Sequence, residues 1–191
     1  EILTIDESTI KKYISEKEEL KLYEHYIEDI LREKDHVLSS REESILAQFG
    51  EVANAPQKIY SMLNDADLKF PTINDENNKE IEITSGSFIP LMESKNRDVR
   101  KGAFKGLYKT YYSFKNTFAA SLRGDLKSNV FNAKIRNYSN TREASLNSNN
   151  IPLSVYDNLI SVIHNNLDTM YEYMDIRKRV LKLDELHMYD L

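Results

Sequence analysis

Arg97-Asp-Val-Arg-Lys-Gly-Ala-Phe-Lys-Gly-Leu-Tyr-Lys-Thr-Tyr-Tyr-Ser-Phe-Lys-Asn-Thr-Phe118 opens a stretch that runs on to Arg136 without a proline. Val99, Ala103, Leu107, Tyr111, Phe114, Phe118, Leu122, Leu126, Val130 and Ala133 recur along it with a mean spacing of about 3.8 residues. That is near the helical period of about 3.6 and predicts one very long helix over about 97–136, roughly 60 Å from end to end. The small excess over the period turns the stripe around the axis, so the two ends should meet different neighbours. Phe104, Tyr108, Tyr112 and Phe131 supply a second face. Gly102, Gly106 and Gly124 each cost about 1 kcal/mol relative to Ala inside a helix. A neighbouring backbone close to them would offset that cost, and Gly124 is the expected bend.

Outward from this helix the same period recurs. Thr4 with Glu7 has capping-box spacing and starts a short helix near Asp6. Leu20, Tyr23, Ile27, Ile30 and Leu31 mark a helix over about 17–36. Ser39 and Ser40, followed by Glu42 and Glu43, start a third with Ile45, Leu46, Phe49 and Val52, broken or kinked at Pro56. Between Leu68 and Thr84 the period falls to two, around the polar turn Asn74–Lys79, so a small β-hairpin near 68–84 is expected. It must lean on a helix, since a lone hairpin is marginal. Ser85-Gly-Ser87 opens a short helix through Met92 despite Pro90. Beyond the long helix, Asn140 with Glu143 caps a short turn, and Pro152 precedes helices carrying Tyr156, Leu159, Ile160, Ile163 and Leu167, then Met170 to Leu181. Asp168 marks the expected break between these two. The fold class is all-α: a multi-helix bundle with one very long helix and one small hairpin.

The chain has 191 residues, four Pro, five Gly and no cysteine, which excludes disulfides and thiolate metal sites. No apolar run approaches the roughly 20 residues of a membrane span, and nothing resembles a secretory signal. A soluble cytoplasmic protein is expected, and the sequon Asn137-Tyr-Ser139 reads as a chance match. The first residue is Glu1, and Leu186, Met188, Tyr189 and Leu191 form an apolar cluster with nothing after it to bury it, so a fragment of a longer protein is expected. The net charge of −5 is unevenly placed: −10 over residues 1–96, +8 over 97–136 and −3 over 137–191.

The four histidines, His25, His36, His164 and His187, include no H-E-x-x-H pair. His25 with Glu28 and Asp29 has ligand spacing on one helix face, but zinc needs convergent ligands and a second shell, so it reads as a solvated acidic face. His164 lies beside an apolar stripe and reads as a partly buried core residue. Ser85-Gly-Ser87 reads as a helix cap rather than an anion site. Lys101, Lys105, Lys109 and Lys115 interleave with Tyr108, Tyr111 and Tyr112. The preferred reading is a basic helix complemented by the acidic first half, ahead of a peptide-facing wall, with nucleic acid third. Glu18-Glu19 and Asp184-Glu185 read as surface acids.

Five blocks in order carry a resemblance: Asn64-Asp-Ala-Asp-Leu-Lys-Phe-Pro-Thr-Ile73, Leu91-Met-Glu-Ser-Lys-Asn-Arg-Asp-Val-Arg-Lys101, Glu143-Ala-Ser-Leu146, Asn150-Ile-Pro-Leu-Ser-Val-Tyr-Asp-Asn-Leu159 and Leu183-Asp-Glu-Leu-His-Met-Tyr-Asp-Leu191. From about Leu20 onward the chain resembles the amino-terminal half of the oligoendopeptidase F family, zinc metallopeptidases related to thimet oligopeptidase. The resemblance implies a mostly helical protein around a deep channel, with zinc held by the histidines of H-E-x-x-H and a downstream glutamate. Those residues would lie beyond Leu191, so no catalytic or metal ligand position is assigned here. It further implies an amino-terminal helical domain over 1–85 and the opening, truncated helices of a peptidase domain over 86–191. Together these would wall the substrate channel. The implied partners are the remainder of the polypeptide and short oligopeptides, with no nucleic acid and no membrane. The alternative is a stand-alone helical interaction module without catalysis.

Overall fold

The computed structural model describes residues 2–191. Ile10 and Ile14, one turn apart, are both buried, which gives α1 (Glu7–Glu16) a single inward face. Its cap is Asp6, whose carboxylate accepts from the Ser8 N–H at 3.0 Å, in place of the expected Thr4–Glu7 box. The helix expected over 17–36 is divided into α2 (Glu18–Lys21), α3 (Glu24–Arg32) and a 3-10 turn at Glu33–His36. The division falls at Tyr23, whose backbone (φ −102°, ψ 3°) leaves the helical region. α4 (Ser40–Ala53) starts on a complete capping box between Ser39 and Glu42, as the spacing predicts. It ends at Asn54, and Pro56 is the second residue of α5 (Ala55–Met62), where no intrahelical N–H is missed.

A π turn (Leu63–Asp67) leads to the hairpin of β1 (Thr72–Asn74) and β2 (Glu80–Glu82), antiparallel with Ile73 opposite Ile81. α6 (Ser85–Met92) is capped reciprocally by Thr84 and Ser87. The long helical stretch follows as α7 (Arg97–Ser113) and α8 (Lys115–Ile135), interrupted at Phe114 (φ −108°, ψ 15°). The interruption thus lies at Phe114, while Gly124 sits inside the continuous α8. α9 (Thr141–Asn147) is capped by Asn140, α10 (Leu153–Asn165) follows Pro152, and α11 (Leu167–Val180) begins after Asn166. A 3-10 turn at Met188–Asp190 comes last.

The chain forms two compact units, each made from two separate segments. One unites the chain up to Asn54 with Asp125–Asn158. A partly exposed polar cluster ties its two segments together. Arg136 holds both Glu43 oxygens at 2.8 Å and gives a third bond to the His36 carbonyl at 3.1 Å. That guanidinium lowers the Glu43 carboxyl below its ordinary value. His36 stacks on Tyr138 with centroids 3.6 Å apart, and Asn147 bridges Tyr138 to Glu33. Arg32 pairs with Asp29 and donates to the Asn147 carbonyl.

The other unit joins Ala55–Gly124 to Leu159–Leu191. Its core is Ile83, Leu91, Val99 and Ala103, with Phe70, Ile73, Ile81 and Leu107 packed on it, so the hairpin leans on α6 and α7. A Cβ on Gly106 would meet Ile83 Cδ1 at 2.6 Å and Pro71 Cγ at 3.0 Å, and one on Gly124 would meet Pro56 Cγ at 2.7 Å. These helical glycines therefore admit side chains, not the neighbouring backbone that was expected. Val99 and Ala103 pack in this unit while Ala133 is buried in the other, as the drifting stripe predicts. Between them Leu107, Tyr111 and Phe118 are half-buried, whereas Leu122 and Leu126 are 60% and 54% exposed.

Candidate functional site

The most fully built polar site is one the sequence did not reveal. Arg97 and Arg100, three residues apart, project from the same side of α7. Between them sits Asp190, 1% exposed. Arg97 donates to Oδ1 at 2.9 Å and to Oδ2 at 2.8 Å, and Arg100 to Oδ1 at 3.0 Å. The His187 N–H completes the set on Oδ2 at 3.1 Å. Three further bonds secure the same segment: Arg100 to the Tyr189 carbonyl, Arg177 of α11 to the Asp190 carbonyl, and Arg97 to the Glu185 carbonyl. Tyr189, buried, packs edge-on against Phe104 and stacks with His187. Of the apolar cluster read at 186–191, Tyr189 is thus covered within its own unit while Met188 and Leu191 stay exposed.

Hydrogen bonds from the Arg97 guanidinium hold the Asp190 carboxyl far below the usual carboxylate range, against the opposing effect of burial. The same pairing raises Arg97. A carboxylate saturated by four donors has no lone pair aimed at a reactant, so it cannot act as a general base. It is an anchor that ties the segment 185–190 to α7 and α11. The signal available in the sequence was the Arg97–Arg100 spacing. Nothing in it named an acid some ninety positions away.

The residues singled out by sequence are scattered. His25 is exposed, and its partner Asp29, 3.7 Å away, is already held by Arg32 at 2.8 Å. His164 is exposed on α10, not partly buried as its stripe suggested, because α10 leaves that face uncovered. At Ser85-Gly-Ser87 the Ser87 N–H is taken by Thr84 Oγ1, and its hydroxyl donates to the Glu82 carbonyl, which makes a cap. The acidic first half meets the basic stretch through Glu43 and Arg136, whereas Arg97 and Arg100 take Asp190 from the closing segment. Lys115 lies over the Tyr112 ring. Among the described residues no group of three His, Asp or Glu is placed to hold a metal ion, so the side chains present do not fit a zinc centre.

The first unit also has a groove of about 720 Å³ along the end of α8, α9 and the start of α10. Leu126, Val130, Leu146 and Tyr156 form its apolar lining. At one side Arg142 pairs with Asp157 at 2.6 Å and lies over the Tyr156 ring. Among the described residues no helix is long and apolar enough to cross a membrane.

Residues 1–70 match the family model for oligopeptidase F, and residues 90–191 match that for peptidase family M3. The chain belongs to peptidase family M3. This M3 chain is 49% identical over all its 191 residues to oligopeptidase PepF of Bacillus subtilis, of which it spans 28%. It is 39% identical to group B oligopeptidase PepB of Streptococcus agalactiae, of which it spans 32%. The crystal structure of oligoendopeptidase-F from Enterococcus faecium superposes with a TM-score of 0.92 at 46% identity, covering all of the M3 chain and 38% of that structure. A putative peptidase from Chlamydophila abortus does so at 0.90 and 31% identity. The likeness thus extends ahead of Leu20, through the first helices. The M3 chain spans about a third of the length of these relatives.

Proposed function

We propose that this chain is the amino-terminal portion of a zinc-dependent endopeptidase that hydrolyses short oligopeptides in the cytoplasm, and that its helices wall the compartment the peptides enter. The observation that carries the reading is the match along all 191 residues to proteins named oligopeptidases, of whose length it spans 28–32%. The zinc and the groups that hold it are assigned to polypeptide outside this segment, a reading supported by the lack of a fitting cluster among the described residues. By itself this segment is inactive.

Its own contribution is shape and anchorage. The apolar sides of α10 and α11, where Leu159, Ile163, Met170, Ile176 and Val180 are exposed, receive the remainder of the polypeptide. Asp190 fixes the segment 185–190 against α7 and so presents that surface in one orientation. The division at residues 85–86 into an amino-terminal helical domain and the opening of the peptidase domain belongs to the same proposal. The family-model matches, which end at 70 and resume at 90, support it.

A quenched fluorescent peptide tests the reading. The full-length protein encoded with this segment should cleave it and lose activity to a chelator, regaining it with zinc. The 191-residue chain with added zinc should release nothing above buffer. Chelator-sensitive turnover by the short chain, or a full-length protein without peptidase activity, overturns the proposal. The second outcome leaves the helical interaction module in its place.

A further inference from the structure

From Val99 to Gly124 the chain carries six Lys and Arg and no Asp or Glu. At about 100° per residue, Lys101, Lys105, Tyr108, Lys109 and Tyr112 share an arc of about 100° on α7. This arc lies away from the Val99–Ala103–Leu107 side that packs on the core. Lys105, Tyr108, Lys109 and Tyr112 are exposed. Arg100 of this stretch and Arg97 just before it are engaged by Asp190, while Arg123 lies farther along, on α8. Among the described residues none of Lys101, Lys105 and Lys109 is in an ion pair, and like charges four apart on a helix repel one another. Asp98 lies at the amino-terminal end of the arc, without an ion pair to Lys101. The strip is therefore a row of unneutralised ammonium groups.

Two observations choose among anionic partners. The tyrosines are poor platforms for bases: the Lys115 ammonium sits 4.1 Å over the Tyr112 ring and donates to its hydroxyl, and Tyr108 rests on Phe104 at 4.4 Å. Single-strand binding depends on open ring faces, and a net charge of −5 opposes a polyphosphate. The second observation is the repeat. Residues four apart on a helix rise about 6 Å, close to the roughly 6.8 Å between alternate side chains of an extended strand. We infer that the Lys101–Lys105–Lys109 strip of α7 is a docking surface for an extended acidic peptide segment with carboxylates at alternate positions. The inference goes beyond the peptidase reading and needs no hydrolysis.

Fluorescence anisotropy with a labelled octapeptide of alternating Glu and Ser, titrated with the 191-residue chain at low salt, tests it. Saturable binding that weakens as salt rises is expected. Lys105→Ala with Lys109→Ala should weaken it about tenfold, the size two exposed ion pairs carry. Both lysines are exposed, so the circular dichroism of this variant should match the parent, and Lys105→Gln with Lys109→Gln provides a second neutral pair. Alternating Lys and Ser should not bind, and an oligo-dT strand should not compete better than the acidic peptide. Absence of saturable binding, unchanged affinity in both neutral variants, or preference for oligo-dT overturns the inference.

Discussion

Asp190 shows how much one side chain can organise. Its carboxylate is buried, faces two guanidiniums and accepts four hydrogen bonds. Asp190→Asn keeps the shape and removes the charge, leaving Arg100 enclosed without its counter-ion. Unfolding in urea should report a loss of about 3 kcal/mol, the cost of breaking a buried pair. The acid limb of stability follows from the same geometry. The folded carboxyl lies below its ordinary value, so the unfolded chain takes up the proton first. Stability from this group is complete above the ordinary aspartate value and is lost as pH falls below about 4. The Asn variant should therefore lose less stability between pH 5 and pH 3, as read from parallel urea titrations. The Arg97–Arg100 pair was legible because helical spacing is local. Its acid was not, because no local rule selects one carboxylate among the many in this chain.

Among the elements, legibility follows the range of the interaction. The Ser39–Glu42 box, the Asn140 cap, the hairpin around the 74–79 turn and the start of α10 after Pro152 all rest on neighbours in sequence, and each was readable. The break at Phe114 and the division at Tyr23 were not, since the apolar period continues through both. Glycines make the contrast testable. A methyl on Gly106 would collide with the fully buried Ile83 and the rigid Pro71 ring, whereas one on Gly50 in α4 meets nothing within 4 Å. Gly106→Ala should destabilise by about 1–2 kcal/mol, crowding outweighing the gain in helix propensity. Gly50→Ala should stabilise by up to about 1 kcal/mol. Thermal melts of the two variants should move in opposite directions.

At the scale of the molecule, the readable part was the class: helices, one small hairpin, and an apolar period that changes partners along its length. The unreadable part was which apolar stripes the chain would cover. Periodicity marks a face as destined for burial but does not say what buries it, so Leu122, Ile163 and Val180 look like core residues in the sequence and stand exposed in the fold. The 191-residue chain should accordingly bind a hydrophobic dye and self-associate in sedimentation velocity. Leu159→Gln with Ile163→Gln should lessen both, and the full-length protein should show neither. Equal dye binding by the short and the full-length protein would contradict a covering role for the remaining polypeptide.

Because each unit is assembled from two separated segments, no single cut of the backbone can release either one whole. The order of synthesis matters for the same reason. When α1 to α4 leave the ribosome, the residues that complete their unit are still untranslated, behind the seventy positions of 55–124. At about 5–20 residues per second that wait is about 4–14 s. Through it Glu43 and His36 have no Arg136 or Tyr138 to meet, so the amino-terminal helices emerge early and mature late.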